Sequence, residues 1–415
     1  MSVHPQSVAV VGAGMVGLAT AWFLQESGAQ VTVYEREHVA AGASWGNAGW
    51  LTPSLTAPLP EPAVLRYGLR AVLSPRSPVY VPLRADARLL QFLARFTRNS
   101  TPGRWRSGMA AYVPLNERAL EAFDALAAGG VQAATHRASP FLALYRTERE
   151  REGLLAELQA IKDSGQSGVL FGQLTGEQAR ALEPVLTDRV GAGIQLYGQR
   201  YLDPPAFVRA LARAVRDRGG QVLEGTDVRA VRDAPQGVVL DLDDSERRHD
   251  AVVVATGAWL ERLARRFGVR QPVQAGRGYS FSVPVARMPA GPLYLPQQRV
   301  ALTPLGNRLR IAGMMEFRRP DAPLDPRRID AVVDAVRPFL NGVDLDDRQD
   351  EWVGSRPVTG DGLPLLGRTA SDRVFVAGGH GMWGIALGPV TGMLVAEAVL
   401  KGETPEVLRP FDPLR

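Results

Sequence analysis

The chain opens on an apolar run, Ser7–Val11, that turns at Gly12 into a segment, Met15–Ser27, whose apolar positions recur at helical spacing until Gly28. Short apolar runs bounded by glycine predict buried strands, and 3.6-residue periodicity predicts helices packed on them. Val31–Tyr34 repeats the strand pattern. Ala40–Gly49 reads as a loop rich in Ala, Gly and Ser, and Pro53–Pro62 as irregular. Helices are expected around Arg84–Thr97, Ala110–Ala127 and Glu148–Asp163, with a strand at Phe141–Arg146. A further helix, Thr175–Leu182, has Thr175 as its cap and Glu177 and Gln178 in the first turn. Asp203-Pro204-Pro205 starts another, which runs through Phe207, Leu211, Ala214 and Val215 to Gly219-Gly220. Strands follow at Gln221–Leu223, Val228–Arg232, Val238–Leu242 and Ala251–Ala255, the last ending in Thr256-Gly257. Residues 270–350 have strand-and-turn character with a helix near Arg327–Pro338. The strand Val374–Ala377 and a long apolar helix to Leu400 close the chain.

Gly12, Gly14 and Gly17 stand where the first strand gives way to the first helix, and Glu35 closes the second strand 23 residues after Gly12. Strand, Gly-x-Gly-x-x-Gly, helix, strand and terminal acid in register form a dinucleotide-binding fingerprint. The first glycine permits the tight turn, the second lets backbone approach a pyrophosphate, and the third lets helix and strand pack closely. The helix N-terminus offers N–H groups and a positive dipole end to phosphates, and Glu35 is placed to accept from ribose hydroxyls. Two further glycine-rich corners, Ala255-Thr256-Gly257 and Gly378–Gly388, lie far away in sequence. Ligands of open α/β sheets bind beyond the carboxyl ends of the strands, so three corners can converge on one elongated ligand. The reading is an α/β protein: a Rossmann-like nucleotide-binding domain (residues 1–80, 201–265 and 351–415) interrupted by an α+β domain with a mixed or antiparallel sheet (81–200 and 266–350).

Composition narrows the chemistry. There is no cysteine among 415 residues, which removes disulfides, thiolate nucleophiles and cysteine metal sites, and five scattered histidines give no metal-ligand set. The net charge is +5 and arginine supplies 46 of the 48 basic residues, but these do not cluster into a phosphate-tracking run, so nucleic acid is not an expected partner. No run of 18 apolar residues occurs, and the chain goes almost directly into its first strand, so neither a membrane span nor a cleavable signal is expected. The basic amphipathic stretch Ala87–Thr97 packs on its own domain or meets a membrane or partner subunit.

Five segments carry a family resemblance. They are the fingerprint through Glu35-Arg36, Gly42–Gly49, Ala255–Trp259, Gly354-Ser-Arg-Pro-Val358 with Gly360–Pro364, and Gly378–Gly381. With these the chain resembles, over nearly its whole length, the FAD-dependent amino-acid oxidoreductases: D-amino acid oxidase, glycine oxidase, sarcosine oxidase and bacterial D-amino acid dehydrogenase. Asn47-Ala48-Gly49 and Tyr279-Ser280 resemble the bacterial dehydrogenase branch. The resemblance implies FAD held by Gly12, Ala13, Gly14, Met15, Val16, Gly17, Glu35 and Arg36. It adds Ser44, Asn47, Ala48 and Gly49 along the pyrophosphate and flavin, and Val228 on the adenine side. Ala255, Thr256, Gly257 and Trp259 form the second corner, and Gly379, His380, Gly381, Met382 and Gly384 the flavin edge. Relatives with covalent flavin carry a histidine beside the Ser/Thr-Trp loop. Gly46 follows Trp45 here, so FAD is expected to be non-covalent.

The same resemblance makes Arg356 the carboxylate clamp, with Tyr279, Tyr201 and Trp383 as pocket candidates. A guanidinium binds a carboxylate bidentately and fixes the α-carbon for reaction. His380, between Gly379 and Gly381, is read as a flavin-edge hydrogen-bonding group rather than a core histidine, with acid/base catalysis as its second reading. The implied activity is oxidative deamination of a D-amino acid or cyclic imino acid, by hydride transfer from the α-carbon to flavin N5. Electrons would pass to a quinone, another carrier or oxygen. A glycine- or sarcosine-type oxidase and a flavin-bearing relay subunit are the alternatives. The implied location is the cytoplasm or the cytoplasmic face of a membrane.

Overall fold

The computed structural model describes residues 5–61, 76–82 and 86–415; Pro62 and Arg84, which bound two of the expected segments, lie outside them. A six-stranded sheet runs in the order Gln221–Leu223, Gln30–Tyr34, Ser7–Val11, Ala251–Val254, Val374–Gly378, Leu365–Arg368. Its neighbours are parallel except the last, which is antiparallel. Val8, Ala9 and Val10 are fully buried, as the unbroken apolar pattern of a strand covered on both faces requires.

Helices Met15–Glu26 and Gly388–Lys401 lie against this sheet, packed parallel and very close. A Cβ on Gly388 would collide with the Met15 side chain, and one on Gly392 with the Ala19–Thr20 backbone. Helix Pro204–Asp217 joins them through Gln25 Nε2, which donates to Val215 O at 3.0 Å. Helix Gly176–Leu182 has the Thr175–Gln178 capping box.

The second sheet is mixed and larger. Its order is Gln349–Thr359, Val273–Val283, Arg308–Phe317, Val300–Leu305, Leu293–Leu295, Phe141–Tyr145, Ala192–Leu196, Phe171–Thr175, with Val79–Tyr80 pairing onto Arg308–Phe317. Helix Pro326–Val336 covers one face with Ile329, Val332, Val333 and Val336. The strand carrying Arg356 is hydrogen-bonded into this sheet, and the chain rejoins the six-stranded sheet at Leu365.

Several boundaries differ from the sequence reading. The expected helix Ala110–Ala127 begins at Pro102, where Thr101 caps it. The strand expected at Val228–Arg232 runs Ala230–Ala234, because the Val228 carbonyl is taken by Arg262 Nη2 at 2.7 Å. Its hairpin has a third strand, Glu246–His249, that apolar patterning could not reveal because its residues are Glu, Arg, Arg and His. The amphipathic stretch is helix Ala87–Asn99, capped by Asp86. Leu89, Phe92 and Phe96 are buried against Met315, Phe317 and Val358, so its apolar stripe is spent inside the molecule, and of its large apolar residues Leu90 is the exposed one. Among the described residues no helix is long and apolar enough to cross a membrane.

Candidate active site

The three glycine-rich corners meet. Gly12 has φ +111° and sits so close to the second corner that a Cβ would strike Ala255 O; Ala255 N donates to Val11 O at 2.8 Å. A Cβ on Gly17 would strike Gly12 O, which fixes the tight entry into the helix. A narrow cavity runs between the corners, lined by Gly12, Gly14, Met15, Val16, Glu35, Arg36, Ser44, Asn47, Val228, Ala255, Thr256, Gly257 and Trp259, and closed by His380, Gly381, Met382 and Gly384. Glu35 accepts from the amides of Ala13 at 2.8 Å and Glu37 at 3.0 Å. A carboxylate has about four acceptor sites, so this one is fixed in place with capacity left for a ligand's hydroxyls. Arg36 lies over the Trp259 ring at 3.9 Å and pairs with Glu37 at 3.2 Å.

Four expected cofactor residues stand behind the cavity wall. Ala13 contributes its amide to Glu35, Gly17 packs the turn, Gly49 approaches Leu202 O, and Gly379 has φ +78° with Thr359 beside it. Ala48 lines the neighbouring cavity instead.

That neighbour is large, about 1440 Å³, and mostly apolar, with Leu55, Phe92, Met315, Phe317 and Trp383 in its walls. Asn47, Arg356 and Met382 line both cavities, so they mark where the two join. Arg356 donates from Nη1 to Met314 O at 2.7 Å, and Met314 holds φ +67° within its strand to present that carbonyl. No carboxylate among the described residues pairs with this guanidinium. Burial alone lowers it to about 10, so it stays cationic at neutral pH. Sequence reasoning missed Gly278, on the adjacent strand: a Cβ there would occupy the space of the Arg356 guanidinium. An isolated glycine inside a strand pattern was the available signal.

Two expected pocket residues line neither cavity, and His380, which does line the narrow one, is more deeply buried than expected. His380 is 2% exposed, and its Nε2 shares a 2.9 Å hydrogen bond with the buried Thr391 hydroxyl. Burial lowers its pKa to about 4, so it is a neutral, internally satisfied histidine and not the non-core residue its flanking glycines suggested. Tyr279 is fully buried and donates to Glu316 at 2.7 Å. Glu316 is also paired with Arg277 and Arg318, so Tyr279 belongs to a buried ionic cluster and lines neither cavity. Tyr201 pairs with Trp50 across a small sheet, contacts His136 ring to ring, and likewise lines neither. Trp383 does face the large cavity and is fixed by Nε1 donating to Ala57 O at 2.8 Å.

The narrow cavity fits an anionic dinucleotide. Helices Met15–Glu26 and Gly388–Lys401 lie parallel with neither N-terminus capped by its own N-cap side chain, an arrangement in which like dipole ends repel unless an anion sits before them. Thr256 Oγ1 is buried in the same region with no hydrogen-bond partner among the described residues. Fold and cavity together define a two-sheet α/β protein with a dinucleotide site opening into an apolar chamber. The chain belongs to the FAD dependent oxidoreductase family, which it matches over residues 7–398. FAD is therefore its cofactor, and the chain is an FAD-dependent oxidoreductase. It is 30% identical over 409 residues to a D-amino acid dehydrogenase of Cereibacter sphaeroides, covering 96% of this chain and 93% of the relative. A D-amino acid dehydrogenase of Azorhizobium caulinodans is 26% identical, with 96% and 97% covered. The glycine oxidase of Geobacillus kaustophilus has the same fold, with TM-score 0.75, 24% identity and 100% and 99% of the two chains covered.

Proposed function

We propose that this protein is a dehydrogenase that oxidises the C–N bond of an amino acid, a D-amino acid or cyclic imino acid, and passes the electrons to a quinone or other carrier. The observation that carries the reading is Arg356, an uncompensated guanidinium at the junction of dinucleotide cavity and apolar chamber. Bound there, an α-carboxylate would take paired N–H bonds from Arg356 and leave the α-carbon at the junction and the side chain in the chamber. Held by the residues of the narrow cavity, FAD would supply a two-electron acceptor for the α-hydrogen and its bonding pair. The amine lone pair would form the C=N bond, and water would hydrolyse it, giving a 2-oxo acid and ammonia from a primary amino acid or a ring-opened amino-2-oxo acid from a cyclic one. Protein acid/base help is not required if the amine binds neutral, which agrees with His380 being neutral and tied to Thr391. In this reading residues 1–80, 201–265 and 351–415 hold the cofactor, and 81–200 and 266–350 shape the chamber together with residues of the first set such as Leu55, Arg356 and Trp383.

The names of the 30%-identical relatives support the dehydrogenase over an oxidase. The test is a panel of D- and L-amino acids, glycine, sarcosine and proline, assayed with a dye acceptor and by oxygen uptake in parallel. Dye reduction by D-amino acids with little oxygen uptake is expected. Turnover with glycine or sarcosine and oxygen would make it an oxidase, and no turnover by the chain alone would make it a relay subunit.

A further inference from the structure

The end of the chamber away from Arg356 is not apolar. Glu157 and Glu61 line it with Arg299, Tyr145 and Tyr294. Glu157 lies on the inward stripe of helix Glu148–Asp163, beside Leu154, Leu158 and Ile161, where an apolar residue would ordinarily stand. Tyr145 is 1% exposed and its hydroxyl has no hydrogen-bond partner among the described residues. A hydroxyl left unpaired at such a position costs free energy unless a ligand satisfies it. The two carboxylates interact with each other and with Arg299: burial first, then the Glu61 charge, raises Glu157 to about 8, and Arg299 partly offsets this. A cation placed beside them would favour loss of the Glu157 proton and pair with the carboxylate that results.

The spacing matches. Arg356 meets strand Arg308–Phe317 at Met314, whereas Tyr294 and Tyr145 lie on the strands two and three places farther across the sheet. Strands stand about 4.8 Å apart, so the two ends of the chamber are separated by roughly 10–14 Å. An extended arginine side chain spans about 7–8 Å from carboxylate carbon to guanidinium carbon, and a hydrogen bond of about 3 Å at each end adds to this.

We propose that Glu157 and Glu61, with the Tyr145 hydroxyl, form a subsite for the cationic side chain of a basic amino-acid substrate whose α-carboxylate is held by Arg356. The ammonium or guanidinium would donate to the carboxylates and to the tyrosine oxygen. This rests on the function proposed above and names the substrate class of that same site.

The experiment compares kcat/KM of the purified flavin-loaded protein for arginine against citrulline, and for lysine against norleucine. Both enantiomers are tested with a dye acceptor. The cationic member of each pair should win by about 10- to 100-fold, the ordinary worth of hydrogen bonds to a charged group. Glu157→Gln should shrink that contrast through the KM of the cationic substrate. Glu61→Gln should do the same and serves if the first variant loses flavin. Equal use of arginine and citrulline by the unaltered protein, or a contrast that survives both substitutions, overturns the subsite alone. Failure of every amino acid to be oxidised overturns the proposed function, and the subsite with it.

Discussion

The guanidinium of Arg356 lies in the space that a side chain on Gly278 would fill, two neighbouring strands of the large sheet sharing one volume between them. Glycine at 278 is what allows a long cation on one strand to fold back over the next and reach the Met314 carbonyl. The placement of this guanidinium therefore depends on two positions, and the second carries no chemistry of its own.

Gly278→Ala should retain flavin but displace the guanidinium. A misplacement of about 1 Å can cost on the order of 100-fold in rate, so kcat/KM should fall by about that factor. Steady-state kinetics alongside the flavin absorbance ratio check this, and parental kinetics in the variant would show that the close approach is not needed.

Glu35→Ala should weaken FAD retention without unfolding the chain. The carboxylate is already fixed by two backbone amides and faces the narrow cavity. Losing a charged acceptor costs roughly 1.5–3 kcal/mol, or about a 10- to 100-fold rise in the FAD dissociation constant. Flavin titration of the apoprotein measures it. Acid precipitation of the parent protein should leave all the flavin in the supernatant, since Gly46 rather than a histidine follows Trp45.

His380 makes a prediction about pH and stability. Its folded pKa, about 4, lies below the ordinary value of 6.5, so protonation favours the unfolded chain. The stability tied to its neutral form is fully present above pH 6.5 and is lost as pH falls from 6.5 towards 4, by about 3 kcal/mol at the low end. Denaturant unfolding at pH 7.5 and 4.5 should show this loss in the parent protein and a smaller one in His380→Gln. An identical pH dependence in both would mean that the histidine titrates normally.

What the sequence made legible was local. The Gly12–Gly17 turn, Glu35 and the strands around them are specified within some 30 residues, and Arg356, marked out by its Gly-Ser-Arg-Pro context, stands where the two cavities join. What was not legible depends on residues far apart. The glycines flanking His380 describe the backbone only and argue against a core histidine, while the fold buries its side chain and brings it to Thr391 on the following helix. Tyr279 and Tyr201 are aromatic residues in strands, and only the fold shows that one meets Glu316 and the other His136 rather than the chamber. Glu157 was part of an amphipathic helix in the sequence, and its place among Leu154, Leu158 and Ile161 acquired meaning once Glu61 and Tyr145 stood across from it.

The central claim is that Arg356 binds the substrate carboxylate, and one comparison tests it most directly. An amino acid and its carboxamide are compared as substrates in the parent protein and in Arg356→Ala, with Arg356→Lys as a control for charge without paired geometry. The account predicts that Arg356→Ala keeps its flavin and loses on the order of 10²–10⁴-fold in kcat/KM for the amino acid, the worth of two charge-assisted hydrogen bonds. Arg356→Lys should recover only part of this, and the amide should be poor with the parent and nearly indifferent to either substitution. Equal losses for the amino acid and its amide would show that Arg356 supports the fold rather than the substrate, and would contradict the account.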